Sequence, residues 1–194
     1  MRLAETGGKR ALDMIDLDDP DPDQAIRAAM VQILPRLHRF CLALTASPAD
    51  ADDLCQSTLE RAMTKLDRWM PGTRLDSWLY RMAQNLHKNT VRDRTNRLRL
   101  LDERASDLDG EQETPPMDLE ASEVRRHVLA LPEAQRQVLI LISVEGYSYK
   151  ECAAFLDLPP STVTSRLFKA RMQIRQAMES DAEENATRRW SASA

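Results

Sequence analysis

The segment 147–178 reads YSYKECAAFLDLPPSTVTSRLFKARMQIRQAM and decides the fold of the second half of the chain. A short helix is predicted to begin near Ser148, because apolar residues then recur at helical spacing. It must end before Pro159 and Pro160, since a proline removes a backbone donor and restricts the residue ahead of it. Pro160 suits the first turn of a new helix, where its missing N–H has no partner to lose. The pattern predicts two helices joined by a tight turn.

The second of these helices has two different sides. Val163, Leu167, Ala170, Ile174 and Met178 form one apolar stripe. A short helix, a turn and a polar-faced second helix are typical of a helix-turn-helix that reads the major groove of DNA. An antiparallel pair in a helical bundle is the alternative, and the absence of acids in 160–178 favours DNA. The outward residues, which we predict to contact DNA, are Ser161, Thr162, Ser165, Arg166, Lys169 and Gln173.

The remainder of the chain is also predicted to be helical, because it has only 5 glycines and is rich in strong helix formers. Pro35 is expected to kink or split the first helix, and Ser47 to cap the next. We therefore predict an all-α protein of two small helical domains joined by a flexible acidic linker. The predicted segments are a flexible acidic tail 1–23, a first domain 24–101 with helices 48–69 and 75–101, the linker 102–118, a second domain 119–179 with four helices, and a flexible tail 180–194.

Positive and negative charges are segregated along the chain, although its net charge is −4. Residues 68–104 carry nine Lys or Arg against four acids, and 160–178 carry four against none. The acids concentrate in residues 1–23 and 102–123. Two basic stretches on an acidic chain are typical of segmented DNA binding.

Several classes of protein are excluded by what the sequence lacks. It has no apolar run long enough to span a membrane and no apolar segment typical of a signal peptide, so we expect a cytoplasmic protein. No Gly-rich phosphate loop or nucleophile–base pair is visible, and we predict no catalytic activity, cofactor or small-molecule substrate. The cysteines are not spaced as metal ligands, so we predict no metal site; we interpret Cys41, Cys55 and Cys152 as small core residues.

The chain resembles the extracytoplasmic-function (ECF) sigma factors over residues 24–179. The segments SPADADDLCQSTLERAMTKLDRW, MPGTRLDSW and LYRMAQNLHKNTVRDR are similar, in order, to their promoter-melting domain, region 2. The segment LPEAQRQVLILISVEGYSYKECAAFLDLPPSTVTSRLFKARMQI is similar to their −35-reading domain, region 4.

The resemblance implies roles for the first domain. The helix 48–69 would dock on the β′ clamp helices of core RNA polymerase. The loop 67–76 and the helix after it would capture the −10 element as a single strand, for which polar edges, stacking groups and cations are suitable. Trp78 lies on the apolar side of the helix 75–101 and is interpreted as a core residue. The implied polymerase-binding residues are Asp52, Asp53, Gln56, Glu60 and Arg61; the implied −10 residues are Thr73, Arg74, Tyr80, Arg81, Gln84, Asn85, Lys88 and Arg92.

The resemblance also implies partners: core RNA polymerase, through the β′ clamp helices and the β flap, promoter DNA, and an anti-sigma factor. It implies promoter-specific transcription initiation in a stress or envelope response. Two alternatives remain open at this stage. One is a helix-turn-helix regulator that does not recruit polymerase, and the other is a sigma mimic that acts as a decoy for an anti-sigma factor.

Overall fold

A computed structural model of the chain describes residues 22–70, 72–102 and 119–191. The chain divides into two compact units, residues 1–114 and 115–194, and each is considered by itself. Within the described ranges the regular elements are helices and no strand occurs, which confirms the all-α prediction. The predicted tail up to residue 21 and the linker 103–118 lie outside these ranges. No described helix is long and apolar enough to cross a membrane.

The described part of the first unit contains three α-helices and a short 3-10 helix between the second and the third. Ser47 caps the second helix, because its hydroxyl accepts a hydrogen bond from the backbone N–H of Asp50 at 3.3 Å and Pro48 occupies the first turn. The elements are α1 (Pro22–Thr45), α2 (Pro48–Met63), the 3-10 helix (Leu66–Arg68) and α3 (Leu75–Asp102).

The core of the first unit is formed where these three helices pack on one another. Phe40 of α1 stacks on Tyr80 of α3 with ring centroids 4.6 Å apart, and both side chains are fully buried. The buried residues from α1 include Ile33, Leu37 and Leu44; those from α2 are Ala51, Leu54, Cys55, Thr58 and Ala62; those from α3 include Leu75, Leu79 and Ala83.

Two helix boundaries in this unit differ from the sequence prediction. Pro35 does not split α1, which continues through it; Ile33 and Leu37 on either side are buried, and their packing compensates for the lost backbone bond. The helix predicted over 48–69 ends at Met63, and the chain turns through the 3-10 helix. This turn brings Trp69 into the core at 5 % exposure, which we take as the physical reason for the early end.

Residues 119–191 of the second unit form four α-helices, as predicted. The apolar stripe of the last helix is buried at Val163, Leu167 and Ala170, and it packs on the three helices before it. Tyr147 contacts Phe155 edge-to-face at 5.8 Å, so the residue ahead of the helix-turn-helix closes this core. The helices are α4 (Leu119–Ala130), α5 (Glu133–Ser143), α6 (Tyr149–Leu156) and α7 (Pro160–Ser191).

The prediction of a flexible tail over 180–194 is wrong for most of that segment, because α7 continues to Ser191. The apolar stripe stops near Met178, which hid the continuation. Asp181 binds Arg126 and also His127, with 2.9 Å between the Asp181 carboxylate and the His127 ring nitrogen. These contacts attach the extended part of α7 to α4, and a Glu184–Arg188 pair supports the next turn.

Asp76 links the start of α3 to α1 and to the loop before α3. Its buried carboxylate accepts hydrogen bonds from Arg36 at 3.1 Å, from Arg74 at 2.9 and 3.1 Å, and from the backbone N–H of Ser77 at 2.7 Å. Burial disfavours ionisation of Asp76, but the hydrogen bond and charge of Arg74, the charge of Arg36 and the Ser77 bond together hold its pKa below the usual value. The ionised carboxylate is therefore part of the fold.

The substitution Asp76→Asn should lower the free energy of unfolding of the first unit by about 1–3 kcal/mol at pH 7, because it leaves two arginines near a neutral group. Since the pKa of Asp76 is lower when folded than when unfolded, its contribution is complete above about pH 4 and is lost as the pH falls through the folded value. Urea unfolding monitored by tryptophan fluorescence measures both effects.

Asp67→Asn is the matched control, because Asp67 is exposed. It should leave both the stability and its acid dependence nearly unchanged. Equal unfolding midpoints for Asp76→Asn and the original chain at pH 7 would contradict the structural role of Asp76.

Candidate nucleic-acid and protein interfaces

The residues predicted to bind polymerase lie on the side of α2 that faces away from the core. All five, Asp52, Asp53, Gln56, Glu60 and Arg61, are exposed. Gln56 donates a hydrogen bond to the Glu60 carboxylate at 2.9 Å. The Asp52 carboxylate lies 2.8 Å from the ring nitrogen of His38, so this residue is held toward α1.

An open groove of about 630 Å³ between α1 and α2 adjoins this polar surface. Its apolar lining includes Leu34, Leu59 and Met63, and Met63 is 56 % exposed. The helical spacing of the apolar residues in 48–69 predicts Leu59 and Met63 on the buried side of that helix, so the sequence alone does not reveal the groove. Only the position of α1, with Leu34 at 39 % exposure, shows that these side chains lie at the surface.

Four of the predicted −10 residues form one exposed line along α3. They follow the spacing i, i+4, i+7 and i+11, which places them on the same side of a helix. Gln84 is the last residue of α3 whose side chain is described as buried, and two turns of the line lie beyond it. From Lys88 to Arg97 every side chain is exposed. The four residues are Arg81, Asn85, Lys88 and Arg92.

The other four −10 candidates are in different environments. Tyr80 and Gln84 are 0 % and 4 % exposed, so in this structure they are core residues that a DNA strand does not reach. Their positions fall on the side of α3 that packs on α1 and α2, which a single-sided helix pattern does not reveal. Arg74 is half-buried against Asp76, whereas Thr73 is exposed in the loop and its hydroxyl donates to the carbonyl of Met70 at 2.6 Å. Trp78 is half-buried.

The helix-turn-helix is formed by α6 and α7. Ser148 and Glu151 form a reciprocal capping box at the start of α6, with distances of 3.2 and 2.8 Å. Asp157 ends α6 in the left-handed conformation, at φ 54°, and the backbone N–H of Leu158 donates to the carbonyl of Ala153 at 3.0 Å. These local bonds fix the turn that directs α7 away from α6.

The predicted −35 residues lie on the outward side of the first half of α7. Ser161, Ser165, Lys169 and Gln173 are exposed, and Thr162 and Arg166 are half-buried at its edges. Phe168 lies on the same outward side and is 66 % exposed. Phe168 was not among the predicted contacts. Its position three residues after Ser165 and outside the apolar stripe indicates, from the sequence alone, that it lies on the outward side.

Within residues 22–70, 72–102 and 119–191, no group of three or more His, Cys, Asp or Glu residues is arranged to hold a metal ion. Cys41, Cys55 and Cys152 are buried and not in disulfides.

Two protein families match this chain. Residues 30–97 match the family described as Sigma-70 region 2, and residues 122–174 match Sigma-70, region 4. The first match covers most of the described part of the first unit, and the second covers α4 to α6 and the first half of α7. The two regions occur in the order that the sequence analysis inferred.

Relatives similar to most of the chain are also sigma factors. The ECF RNA polymerase sigma factor EcfG of Rhodopseudomonas palustris is 31% identical over 150 residues, which are 77% of this chain and 83% of the relative. The ECF RNA polymerase sigma factor SigE of Mycolicibacterium smegmatis is 30% identical over 172 residues, 86% of this chain and 65% of the relative.

Solved structures agree with this relationship. The sigma factor RpoE from Bartonella quintana, determined in complex with the anti-sigma factor NepR, has a TM-score of 0.66 and 25% sequence identity. The match covers 80% of this chain and 98% of that one. CnrH, determined in complex with the cytosolic domain of CnrY, shares the fold with a TM-score of 0.56. Sigma factors are initiation factors and not enzymes. The chain belongs to the family of ECF RNA polymerase sigma factors.

Proposed function

We propose that this sigma factor binds core RNA polymerase, directs it to specific promoters and is controlled by an anti-sigma factor in the cytoplasm. The observation that carries the proposal is the outward side of α7, which combines Ser165, Lys169 and other polar residues with no acid across 160–178. An exposed, acid-free helix after a fixed turn suits the major groove. By family resemblance, the programme it controls is a stress or envelope response.

The proposed contact with the polymerase β′ clamp helices is the outward side of α2. It combines the acids Asp53 and Glu60 with Arg61 around helical positions that the core does not use. Beside it lies the apolar groove lined by Leu59 and Met63. A polar surface next to an accessible apolar patch has the composition of many protein–protein interfaces, in which charge steers the encounter and apolar contact adds affinity.

The proposed contact with the −10 strand is the line of Arg81, Asn85, Lys88 and Arg92 on α3, with Thr73 in the preceding loop. Its cations suit the phosphate backbone, and the Asn85 amide suits a base edge. Tyr80 and Gln84 do not enter this proposal as direct contacts, because they are buried. Their role is to hold the start of α3 against the core.

The proposed contact with the −35 element is the first half of α7, and the β flap of the polymerase is the proposed protein partner of the second unit. Arg166 and Lys169 suit guanine or phosphate, and Ser165 suits a base edge or phosphate. The exposed ring of Phe168 suits the methyl group of a thymine. The N-terminus of α7 adds a partial positive charge that favours a nearby phosphate.

Control by an anti-sigma factor is supported by RpoE from Bartonella quintana, whose solved complex contains the anti-sigma factor NepR. The match covers 98% of that protein and 80% of the present chain. We infer that a protein of the same class covers one or more of the surfaces described above and thereby prevents polymerase binding.

Transcription in vitro with core RNA polymerase and a library of genomic promoter fragments tests the proposal as a whole. A sigma factor should produce transcripts from a small set of fragments that share −35 and −10 elements. A helix-turn-helix regulator would bind DNA fragments but start no transcripts, and a decoy would do neither. Either of the last two results would contradict polymerase recruitment.

Reversal of charge at Asp53→Lys together with Glu60→Lys should weaken binding to core polymerase by about tenfold or more, because two exposed acids of the proposed interface become cations. The helical circular dichroism spectrum should not change, since neither residue is in the core. Affinity is measured by titrating labelled protein with core enzyme at fixed salt. The pair Asp23→Lys and Asp93→Lys changes the net charge equally outside α2 and should retain binding; equal loss in both pairs would exclude a specific α2 interface.

Replacement of Arg166 and Lys169 by alanine should reduce transcription from −35-dependent promoters by about thirtyfold or more, because each of the two lost base or phosphate contacts contributes about 1–3 kcal/mol. Binding to core polymerase should remain. Run-off transcription on promoters recovered from the library measures the effect. The control is Arg175→Ala with Arg188→Ala, which removes the same charge from α7 outside the proposed surface. Full activity of the Arg166/Lys169 variant would refute the recognition-helix assignment.

A further inference from the structure

Two of the three cysteines form a pair that has no part in the polymerase and promoter contacts proposed above. Cys41 of α1 and Cys55 of α2 lie where these helices pack together, at 0 % and 5 % exposure. Their side chains lie within hydrogen-bonding reach of each other. Cys152 is in the other unit and serves as an internal reference.

The two sulfurs differ in their access to solvent. Cys55 lines the groove between α1 and α2, beside His38, Asp52 and Leu59. Cys41 is not part of this lining and is fully buried behind it. A small solute in the groove therefore meets Cys55 first, and Cys41 is placed to react with whatever forms on Cys55.

The hydrogen bond also makes the two thiols chemically different. A hydrogen bond between the two side chains lowers the pKa of Cys55, against the opposing effects of burial and the negative charge of Asp52. The same bond, together with burial, raises the pKa of Cys41 well above its usual value. The thiolate is the nucleophile in thiol oxidation, so the more accessible sulfur is also the more easily ionised one.

We propose that Cys55 and Cys41 form a peroxide-oxidisable dithiol, in which Cys55 attacks the oxidant and Cys41 closes an intramolecular disulfide between α2 and α1. The Cys55 sulfur attacks one peroxide oxygen, an S–O bond forms, the O–O bond breaks and the other oxygen leaves as water with the thiol proton. The Cys41 sulfur then attacks the resulting sulfenic acid, the S–S bond forms and a second water leaves. Two electrons pass from the thiols to the peroxide.

The direct test is the mass of the intact full chain after treatment with hydrogen peroxide and blocking of the remaining thiols. The native protein should carry one blocking group where the untreated chain carries three, and after subtraction of the blocking groups its mass should be about 2 Da lower, as one disulfide forms; dithiothreitol should reverse both changes. Trypsin should release residues 40–61, cleaved after Arg39 and Arg61, with both cysteines inside. Cleavage before Asp50 should then leave the two fragments joined until reduction.

Single substitutions assign the roles of the two thiols. Cys55→Ala should abolish the disulfide and leave Cys41 reduced, whereas Cys41→Ala should stop at a sulfenic acid on Cys55 that dimedone traps. Cys152→Ala is the matched control and should oxidise like the original chain. Cys152 is also buried, its pKa is raised to about 11 by burial, and it lies in the other unit.

Three results would overturn the proposal. One is a native chain that stays reduced under peroxide that oxidises the urea-unfolded chain. Another is a disulfide that joins two chains or includes Cys152, and the third is oxidation of Cys41 at an unchanged rate in Cys55→Ala. The peptide map of the unsubstituted chain decides the first two even where a core substitution impairs folding. None of these three results depends on whether the protein recruits polymerase.

Discussion

A helix in a small unit can bury only one of its sides, and this constraint determines what the rest of the surface is available to do. In α2 the side with Ala51, Leu54 and Thr58 is buried, and the opposite side remains polar and exposed. In α7 the side with Val163 and Leu167 is buried, and its opposite side contains no acid through residue 178. Because these outward positions contribute little to the core, their residues can be suited to a partner without loss of stability.

The start of α3 is the exception, and it explains why two of the predicted DNA contacts, Tyr80 and Gln84, are buried in this structure. There the helix packs on both α1 and α2, so Tyr80 and Gln84 are buried together with Leu79 and Ala83. The bidentate bond from Arg74 to Asp76 holds the preceding loop against the same core. Only farther along α3, where the core ends, are all the described side chains exposed and available to a nucleic acid.

The features that the sequence predicted correctly are those set by neighbouring residues. The cap at Ser47 and the break at Pro159–Pro160 each depend on fewer than about six residues, and the apolar stripe of α7 depends on one helix. The missed features join residues that are far apart in sequence. Phe40 and Tyr80 stack across two helices, and Asp181 extends α7 by binding α4. A helical period describes which residues share a side of a helix. It does not show how many sides other helices cover, or which charged residue far away in sequence can form an ion pair with it.

The DNA surface proposed on α7 and the polymerase surface proposed on α2 differ in the kinds of side chain that they expose. The outward side of α7 has cations and a single exposed ring, as phosphate and base edges require. The outward side of α2 has acids beside an apolar groove. The acids would repel phosphate, and their combination with an apolar groove suits another protein. Cys55 lines that groove, so the sulfur that a solute reaches first lies beside the surface proposed for polymerase. A covalent change there acts on the packing of α2 against α1, which is the same packing that presents Asp53 and Glu60 outward.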